Sequence, residues 1–207
     1  METIIRKRAF QVLVLLACCL VAPVWANCQR AVKVREGASN ILISEAEKHV
    51  GVTEATGNND GMWVERYLKS TGLGKGYPWC AAFQSYIHKE TNMGGPRSAR
   101  VVDWFKYNVV YLQKWGELPR FQSTSGMVGA LYYRKLGRLG HIFLIVGEDK
   151  NNFYTIEGNT NFGGSREGDG VYRKIRSKKS VAALADYCLD GKLFIDTYNN
   201  YLITVIQ

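Results

Sequence analysis

The chain has 207 residues, of which 46% are hydrophobic and 22% are charged. It can therefore bury a core of its own, its length favours one domain over two, and it is neither a disordered nor a fibrous protein. Its formal net charge of +9, from 27 basic and 18 acidic side chains, indicates an anionic partner such as a nucleic acid, a membrane surface or a cell wall.

The N-terminus has the pattern of a secretory signal peptide. Basic residues 6–8 precede an apolar run of 11 residues at 12–22, which is shorter than the about 20 residues that a transmembrane helix needs. Val24 and Ala26 fit a cleavage site after Ala26. We therefore predict a signal peptide over residues 1–26 and an exported protein, periplasmic or extracellular, without stable membrane insertion. The alternative is a retained membrane anchor.

Cleavage there would leave 181 residues with a charge of +7, from 24 basic and 17 acidic side chains, and three cysteines. Disulfides form in oxidising compartments, and an odd number of cysteines leaves one unpaired. Cys28 and Cys188 lie in flanking segments that could meet at the surface, so we predict a bridge between them and a free Cys80. Acylation of Cys28 is the alternative, although Asn27 before it fits a lipoprotein signal poorly.

The hydrophobic pattern is helical in the N-terminal half. Helices are predicted at 40–49 with Gly51 as a C-terminal stop, at 60–70 with Asp60 as a cap, at 79–88 after a loop rich in Gly, and at 99–105.

From Gly129 onward the pattern becomes that of strands. Strands are predicted at 130–133, 141–147, 153–157, 171–176, 193–197 and 202–206, the last two joined by a turn at 199–200. Because helices come first and antiparallel strands second, the fold class is α+β, with N-terminal helices packed on a C-terminal antiparallel β-sheet.

Cys80 is the predicted nucleophile. In the first turn of a helix, free backbone N–H groups and the positive end of the helix dipole favour a thiolate. Such settings lower a cysteine pKa from about 8.5 into the range of about 3.5–7.5. The alternative is a structural cysteine, because free cysteines are among the most often buried residues.

A thiolate nucleophile needs a base, and the chain has three histidines. His88 lies about 12 Å from Cys80 along the same predicted helix, and we interpret it as a surface or structurally satisfied residue. His49 is placed at a helix end, where a cation favours the dipole. His141 opens an apolar run typical of a central strand and is the predicted base. The alternative for His141 is a capping or metal-binding role.

A third polar group must orient the base. A tight turn joins the second and third predicted strands, and pairing of Gly147 with Phe153 places Asn159 opposite His141, with Glu157 diagonally beside it. Either side chain could accept the imidazole N–H. The alternative for Glu157 is a rim carboxylate paired with an arginine or lysine.

Three short segments, in this order, resemble the CHAP family of cysteine- and histidine-dependent amidohydrolases and peptidases. They are Tyr-Pro-Trp-Cys-Ala-Ala-Phe at 77–83, Gly-His-Ile at 140–142 and Ile-Glu-Gly-Asn at 156–159. The resemblance covers about residues 38–178. It departs at 125–130, where the chain has no counterpart of the Pro-Gly-Asp-Val-like segment that is frequent in the family.

The resemblance implies a papain-like cysteine hydrolase fold in one domain over residues 27–207. It further implies a hydrolase that cuts an amide bond of peptidoglycan, either the muramoyl–alanine bond or one within the stem peptide. Cys80 would match the nucleophile, His141 the general base, Glu157 the orienting acid and Asn159 the neighbouring polar residue. No metal or other cofactor is expected, and the protein is expected to be a monomer.

The turn at 56–61 supplies candidate substrate contacts. Its few carboxylate and amide oxygens are too few for calcium, which takes six or more. Asn59 and Asp60 are therefore interpreted as capping residues or substrate contacts, and Trp79 is a further candidate contact.

Other functions remain open at this point. A wall-binding module could keep the fold and lose turnover, and an exported antibacterial toxin could use the same chemistry on foreign walls. A basic run at 173–179 raises nucleic-acid binding. Such a run is usually a solvated face, no nucleic-acid motif accompanies it, and nucleic acid is not an expected partner of an exported protein.

Overall fold

The computed structural model describes residues 28–161, 163, 168–188, 194–196 and 201–203. The signal peptide predicted at 1–26 lies outside these residues. The chain divides into two compact units, residues 1–35 and 36–207, and the described part of the first, 28–35, is helical. No helix within the described ranges combines the length and the apolar composition needed to cross a bilayer.

Three helices precede the sheet in the second unit. They are α1 at 36–47, α2 at Met62–Lys69 and α3 at Cys80–Glu90. The second and third differ from the predicted 60–70 and 79–88 by one or two residues at each end, whereas the prediction of 40–49 for the first placed its start too late, because helical residues are described from 28 to 47. The fourth predicted helix is a 3₁₀ turn, Val101–Phe105. The apolar stripe of each helix is completely buried, as an amphipathic helix on a core requires: Leu42 and Ala46 on α1, Val64, Tyr67 and Leu68 on α2, and Phe83 and Ile87 on α3.

Asp60 does not cap α2, contrary to the prediction. Gly61 holds the N-cap position without a side-chain hydrogen bond. The Asp60 carboxylate instead accepts hydrogen bonds from the backbone N–H and the hydroxyl of Thr56, at 2.9 and 2.7 Å. Because the Asp60 carboxylate is hydrogen-bonded within the preceding turn, it does not accept a hydrogen bond from the N-terminus of α2.

Six antiparallel strands form one sheet in the order β1-β6-β2-β3-β4-β5. The strands are β1 Val109–Leu112, β2 Val128–Tyr133, β3 Arg138–Glu148, β4 Asn152–Thr160, β5 Gly170–Ser177 and β6 Val181–Ala185. Four of them were predicted, whereas β1 and β6 were not. A second sheet pairs β7 Phe194–Asp196 with β8 Tyr201–Ile203, and the turn predicted at 199–200 lies outside the described residues. The fold is α+β.

The central strand β3 is buried on both of its faces, which explains its unbroken apolar run. Leu144 lies in the cluster formed with the helices. Phe143 and Ile145, which point the other way, lie in a second cluster with Phe153 and Leu184. The sheet therefore carries core on both sides, and α3 packs on the helix side against β3 and β4.

The register of the β3–β4 hairpin was predicted correctly near the candidate site and wrongly near the turn. Ile145 pairs with Thr155, as the predicted register requires. An irregularity between Ile145 and Gly147 shifts the partner of Gly147 from the predicted Phe153 to Tyr154. An extra residue at a bulge changes the register only on one side of it, so the half of the hairpin nearer the site keeps the predicted faces.

Among the described residues, none of Cys28, Cys80 and Cys188 forms a disulfide, so the predicted bridge between Cys28 and Cys188 is not formed. Cys188 was expected at the surface but is buried. Its thiol donates a hydrogen bond to the carbonyl of Gly126 at 3.5 Å, and its sulfur packs closely on that glycine. The free state predicted for Cys80 agrees with the structure.

Candidate active site

The site is built where the first turn of α3 meets β3 and β4. Cys80 is the first residue of α3, His141 lies on β3 and Glu157 on β4. Close contact between α3 and β4 depends on Gly158, where an added Cβ would lie 2.8 Å from the Cβ of Phe83. A side chain larger than hydrogen at that position would push the strand away from the helix.

Three of the four predicted catalytic side chains, Cys80, His141 and Glu157, lie together. His141 donates from Nε2 to Oε2 of Glu157 at 2.8 Å, which leaves Nδ1 for a second partner. Cys80 is the second neighbour that raises the pKa of the imidazole, so its thiol lies near the ring. All three side chains are nearly or completely enclosed, with exposures of 6% for Cys80, 5% for His141 and 0% for Glu157.

Glu157 is a buried, fully bonded carboxylate rather than a rim residue. Arg176 on β5 donates from Nε to Oε1 at 2.7 Å and from Nη2 to Oε2 at 2.5 Å. The hydroxyl of Thr155 donates to Oε1 at 2.6 Å. The carboxylate therefore receives four hydrogen bonds, and the guanidinium supplies two of them in the fork geometry that suits a carboxylate.

The electrostatics of the site favour an ionised imidazole and carboxylate. Burial lowers the pKa of His141, but the neighbouring Cys80 and Glu157 outweigh burial and hold that pKa above its ordinary value of 6.5. Burial raises the pKa of Glu157, but Arg176 and His141 outweigh it and hold that pKa below its ordinary value of 4.5. At neutral pH the pair is an imidazolium and a carboxylate, so a proton is held beside the Cys80 sulfur.

Arg176 is the residue that the sequence analysis missed. It belongs to the basic run that was interpreted as a solvated face, and its side chain is only 23% exposed. Strand alternation was the one available signal for Arg176. Positions 174 and 176 on β5 and positions 155 and 157 on β4 all lie on the same face of the sheet. Without the β4–β5 register, the sequence does not say which basic residue faces the carboxylate.

Among the described residues, Asn159 forms no hydrogen bond with the imidazole and instead joins a second hydrogen-bonded chain. Its Nδ2 donates to Oδ1 of Asn59 at 2.8 Å, and both asparagines have a φ of +54°. The backbone N–H of Asn59 donates to Oε2 of Glu54 at 2.9 Å, and the Trp79 indole donates to Oε1 of Glu54 at 2.8 Å. Glu54, which the sequence analysis did not select, therefore ties the 54–61 loop to the start of α3 and, through Asn59, to the end of β4.

The predicted substrate contacts fall into three different settings. Trp79 is completely buried, so its side chain cannot touch a substrate and instead positions α3 through Glu54. Asp60 is engaged by Thr56 within its own turn. Asn59 lies beside Asn159 and so stays next to the site.

The other two histidines are structural. His49 is buried and hydrogen-bonded through Nδ1 to the Tyr67 hydroxyl at 2.8 Å. Burial lowers its pKa, so the cationic helix end predicted there is wrong. His88 is completely buried rather than at the surface, donates from Nδ1 to the carbonyl of Gly94 at 2.6 Å, and has no partner at Nε2 among the described residues. Burial lowers its pKa to about 4. In the described part of the chain, no group of three or more His, Cys, Asp and Glu side chains is arranged to hold a metal ion.

Comparison with known proteins adds little to this geometry. No protein-family model and no curated protein matches the chain. A solved structure entitled "The crystal structure of Ly7917" matches with a TM-score of 0.37 and 15% sequence identity, over 72% of this chain and 62% of that chain. The present chain therefore covers less than two thirds of the length of that protein. A likeness at this TM-score carries no argument about fold or function.

Proposed function

We propose that the chain is a cysteine amidohydrolase of CHAP type with a papain-like fold, and that it cleaves an amide bond of peptidoglycan through an acyl-enzyme. One observation carries the proposal: the ring of His141 donates a hydrogen bond from Nε2 to the buried Glu157, and its pKa is raised by the nearby Cys80 at the start of α3. A nucleophile, a base and a group that orients the base is the arrangement used in covalent acyl transfer.

The first half of the reaction follows from where the protons are held. The Cys80 thiolate attacks the amide carbonyl carbon, and the carbonyl π electrons move to oxygen. The Cys80 backbone N–H, at the N-terminus of α3, has no helical partner and is the oxyanion donor. Such a donor is worth about 3–4 kcal/mol where one has been removed.

The second half uses the imidazolium. Because the pKa of His141 is held above its ordinary value, the ring is protonated at neutral pH and protonates the amine as the C–N bond breaks. The neutral ring then takes a proton from water, which attacks the thioester and releases the acid product. Cys80 returns as the thiolate and His141 as the imidazolium, so both groups are regenerated.

Peptidoglycan is the proposed substrate for two reasons. The three CHAP-like segments contain the residues of the site, Cys80, His141 and Glu157. The charge of +7 calculated for residues 27–207 suits an anionic wall. The bond is either muramoyl–alanine or one within the stem peptide.

The test compares the protein lacking residues 1–26 with its Cys80→Ala and Cys28→Ala variants on purified peptidoglycan. Release of soluble muropeptides is followed by mass spectrometry, and the new end groups identify the bond that is cut. The parent protein and the Cys28→Ala control should release fragments, whereas Cys80→Ala should not. Equal release by Cys80→Ala overturns the assignment of the nucleophile, and no release by the parent protein overturns the hydrolase proposal.

A further inference from the structure

The hairpin between β2 and β3 carries an exposed group of cations that the reaction does not use. Arg134, Lys135 and Arg138 lie within five consecutive residues, and all three are exposed. Among the described residues, none of the three takes part in an ion pair. The basic residues Arg173 and Lys178, by contrast, are paired with Glu47 and Glu148. We call residues 132–138 the basic hairpin.

The basic hairpin is continuous with the catalytic strand. Arg138 and His141 lie on β3 three residues apart, a separation of about 10 Å at the rise of a strand. At the base of the hairpin, the ring of Tyr133 lies on Gly140, where an added Cβ would be 2.3 Å from Cδ2 of the ring.

The cations of the basic hairpin determine which chemical groups this surface can bind. Two guanidinium groups and one ammonium group match carboxylates, and arginine does so in a planar, two-point geometry. Tyr132 and Leu136, at 49% and 38% exposure, add apolar surface beside the charges. A ligand that reaches from His141 to the cations in an extended conformation covers about three peptide units, at about 3.3 Å for each.

We propose that Arg134, Lys135 and Arg138 bind free carboxyl groups of an acidic peptide about three residues from the amide that is cut. The inference rests on the proposed function, because it names the part of the substrate that the same site reads. It assigns recognition to the carboxylates of the peptide rather than to the net charge of the protein.

The test measures binding separately from turnover. The full chain without residues 1–26 and with Cys80→Ala is mixed with native sacculi and with sacculi whose carboxyl groups have been converted to amides. Two further variants in that background remove three positive charges each: R134Q/K135Q/R138Q in the basic hairpin, and K69Q/K89Q/K150Q at exposed lysines elsewhere. Arg138→Gln alone is a milder variant that keeps the hairpin otherwise intact.

The background protein and the lysine control should bind native sacculi about tenfold more tightly than amidated ones, at about two- to threefold for each exposed ion pair. The hairpin triple variant should lose this preference, and Arg138→Gln should lose two- to threefold of it. High salt should reduce the preference, because exposed charges are screened.

The outcomes separate the two proposals. Equal binding of native and amidated sacculi by the background protein overturns the carboxylate surface, and so does an equal loss in the hairpin and lysine variants. If the protein with Cys80 intact releases no muropeptides while the preference for native sacculi persists in the Cys80→Ala background, the hydrolase proposal fails and the carboxylate surface stands.

Discussion

Arg176→Gln should destabilise the protein because it removes the ion pair that Arg176 forms with the buried carboxylate of Glu157. Arg176 supplies two of the four hydrogen bonds to Glu157, which has no exposure to solvent. Removing one partner of a buried ion pair costs about 3–5 kcal/mol. The Arg176 side chain is 23% exposed, so water replaces part of its contribution, and we expect a loss of about 3 kcal/mol in the free energy of unfolding.

Arg173→Gln is the matched control on the same strand. The Arg173 side chain is 60% exposed and pairs with Glu47, and exposed pairs contribute about 0–1 kcal/mol. The two variants should therefore differ by about 2–3 kcal/mol. For a domain of this size that difference places the melting temperature of Arg176→Gln about 5–10 °C below that of Arg173→Gln, as measured by thermal unfolding.

The same substitution should raise the pKa of Glu157. Burial raises that pKa, and Arg176 and His141 together hold it below its ordinary value of 4.5. Without Arg176 only His141 opposes burial, so the carboxyl of Glu157, followed by ¹³C NMR, should titrate at a higher pH than in Arg173→Gln.

Arg176→Lys should restore part of both properties, because it keeps the charge but not the two-point geometry. If Arg176→Gln and Arg173→Gln have the same melting temperature and Glu157 titrates at the same pH in both, Arg176 does not support the site, and the argument from the buried ion pair is refuted.

Two further results are expected. Gly140→Ala would put a Cβ 2.3 Å from a tyrosine ring, so the strand beside His141 must move, with a loss of about 1–3 kcal/mol in stability and of muropeptide release. Gly147→Ala, on the same strand with its nearest contact at 3.7 Å, should change neither, and equal effects of the two would contradict the packing argument. In an imidazole NMR titration of the protein with Cys80 intact, His141 should titrate above 6.5 and both His49 and His88 below it, His88 at about 4. A His141 midpoint below 6.5 would mean that its coupling to the carboxylate and thiol is not formed.

The predicted catalytic residues were identifiable because each has a local pattern. Cys80 lies at the start of a helical pattern, directly after a loop that ends the preceding one. His141 begins an apolar run that is typical of a central strand. Glu157 required one further step, the hairpin register. The bulge near Gly147 left that step valid, because it changes the pairing on the turn side and keeps the alternation on the side of the site.

The supporting residues were not identifiable because their partners are distant in the sequence. Arg176 lies among other basic residues in the sequence, as exposed arginines often do. Its partner Glu157 is 19 residues away, on the neighbouring strand. Glu54 is 25 residues from the Trp79 indole that it accepts from. The helix-dipole argument for His49 failed for a related reason, since burial lowers its pKa and outweighs a favourable helix end.

The buried ion pair behind His141 is better explained by proton placement than by stability. Well-packed apolar residues in place of a buried ion pair are often neutral or stabilising, because both charges must be taken out of water. Such a replacement here would leave the His141 N–H without an acceptor, and burial would then lower the pKa of the imidazole with less to oppose it. The base would be neutral when the leaving amine needs a proton. Arg176 and Glu157 thus act on the chemistry through the protonation state of His141, while the contacts that hold α3 against β4 pass through Gly158, Trp79 and Phe83.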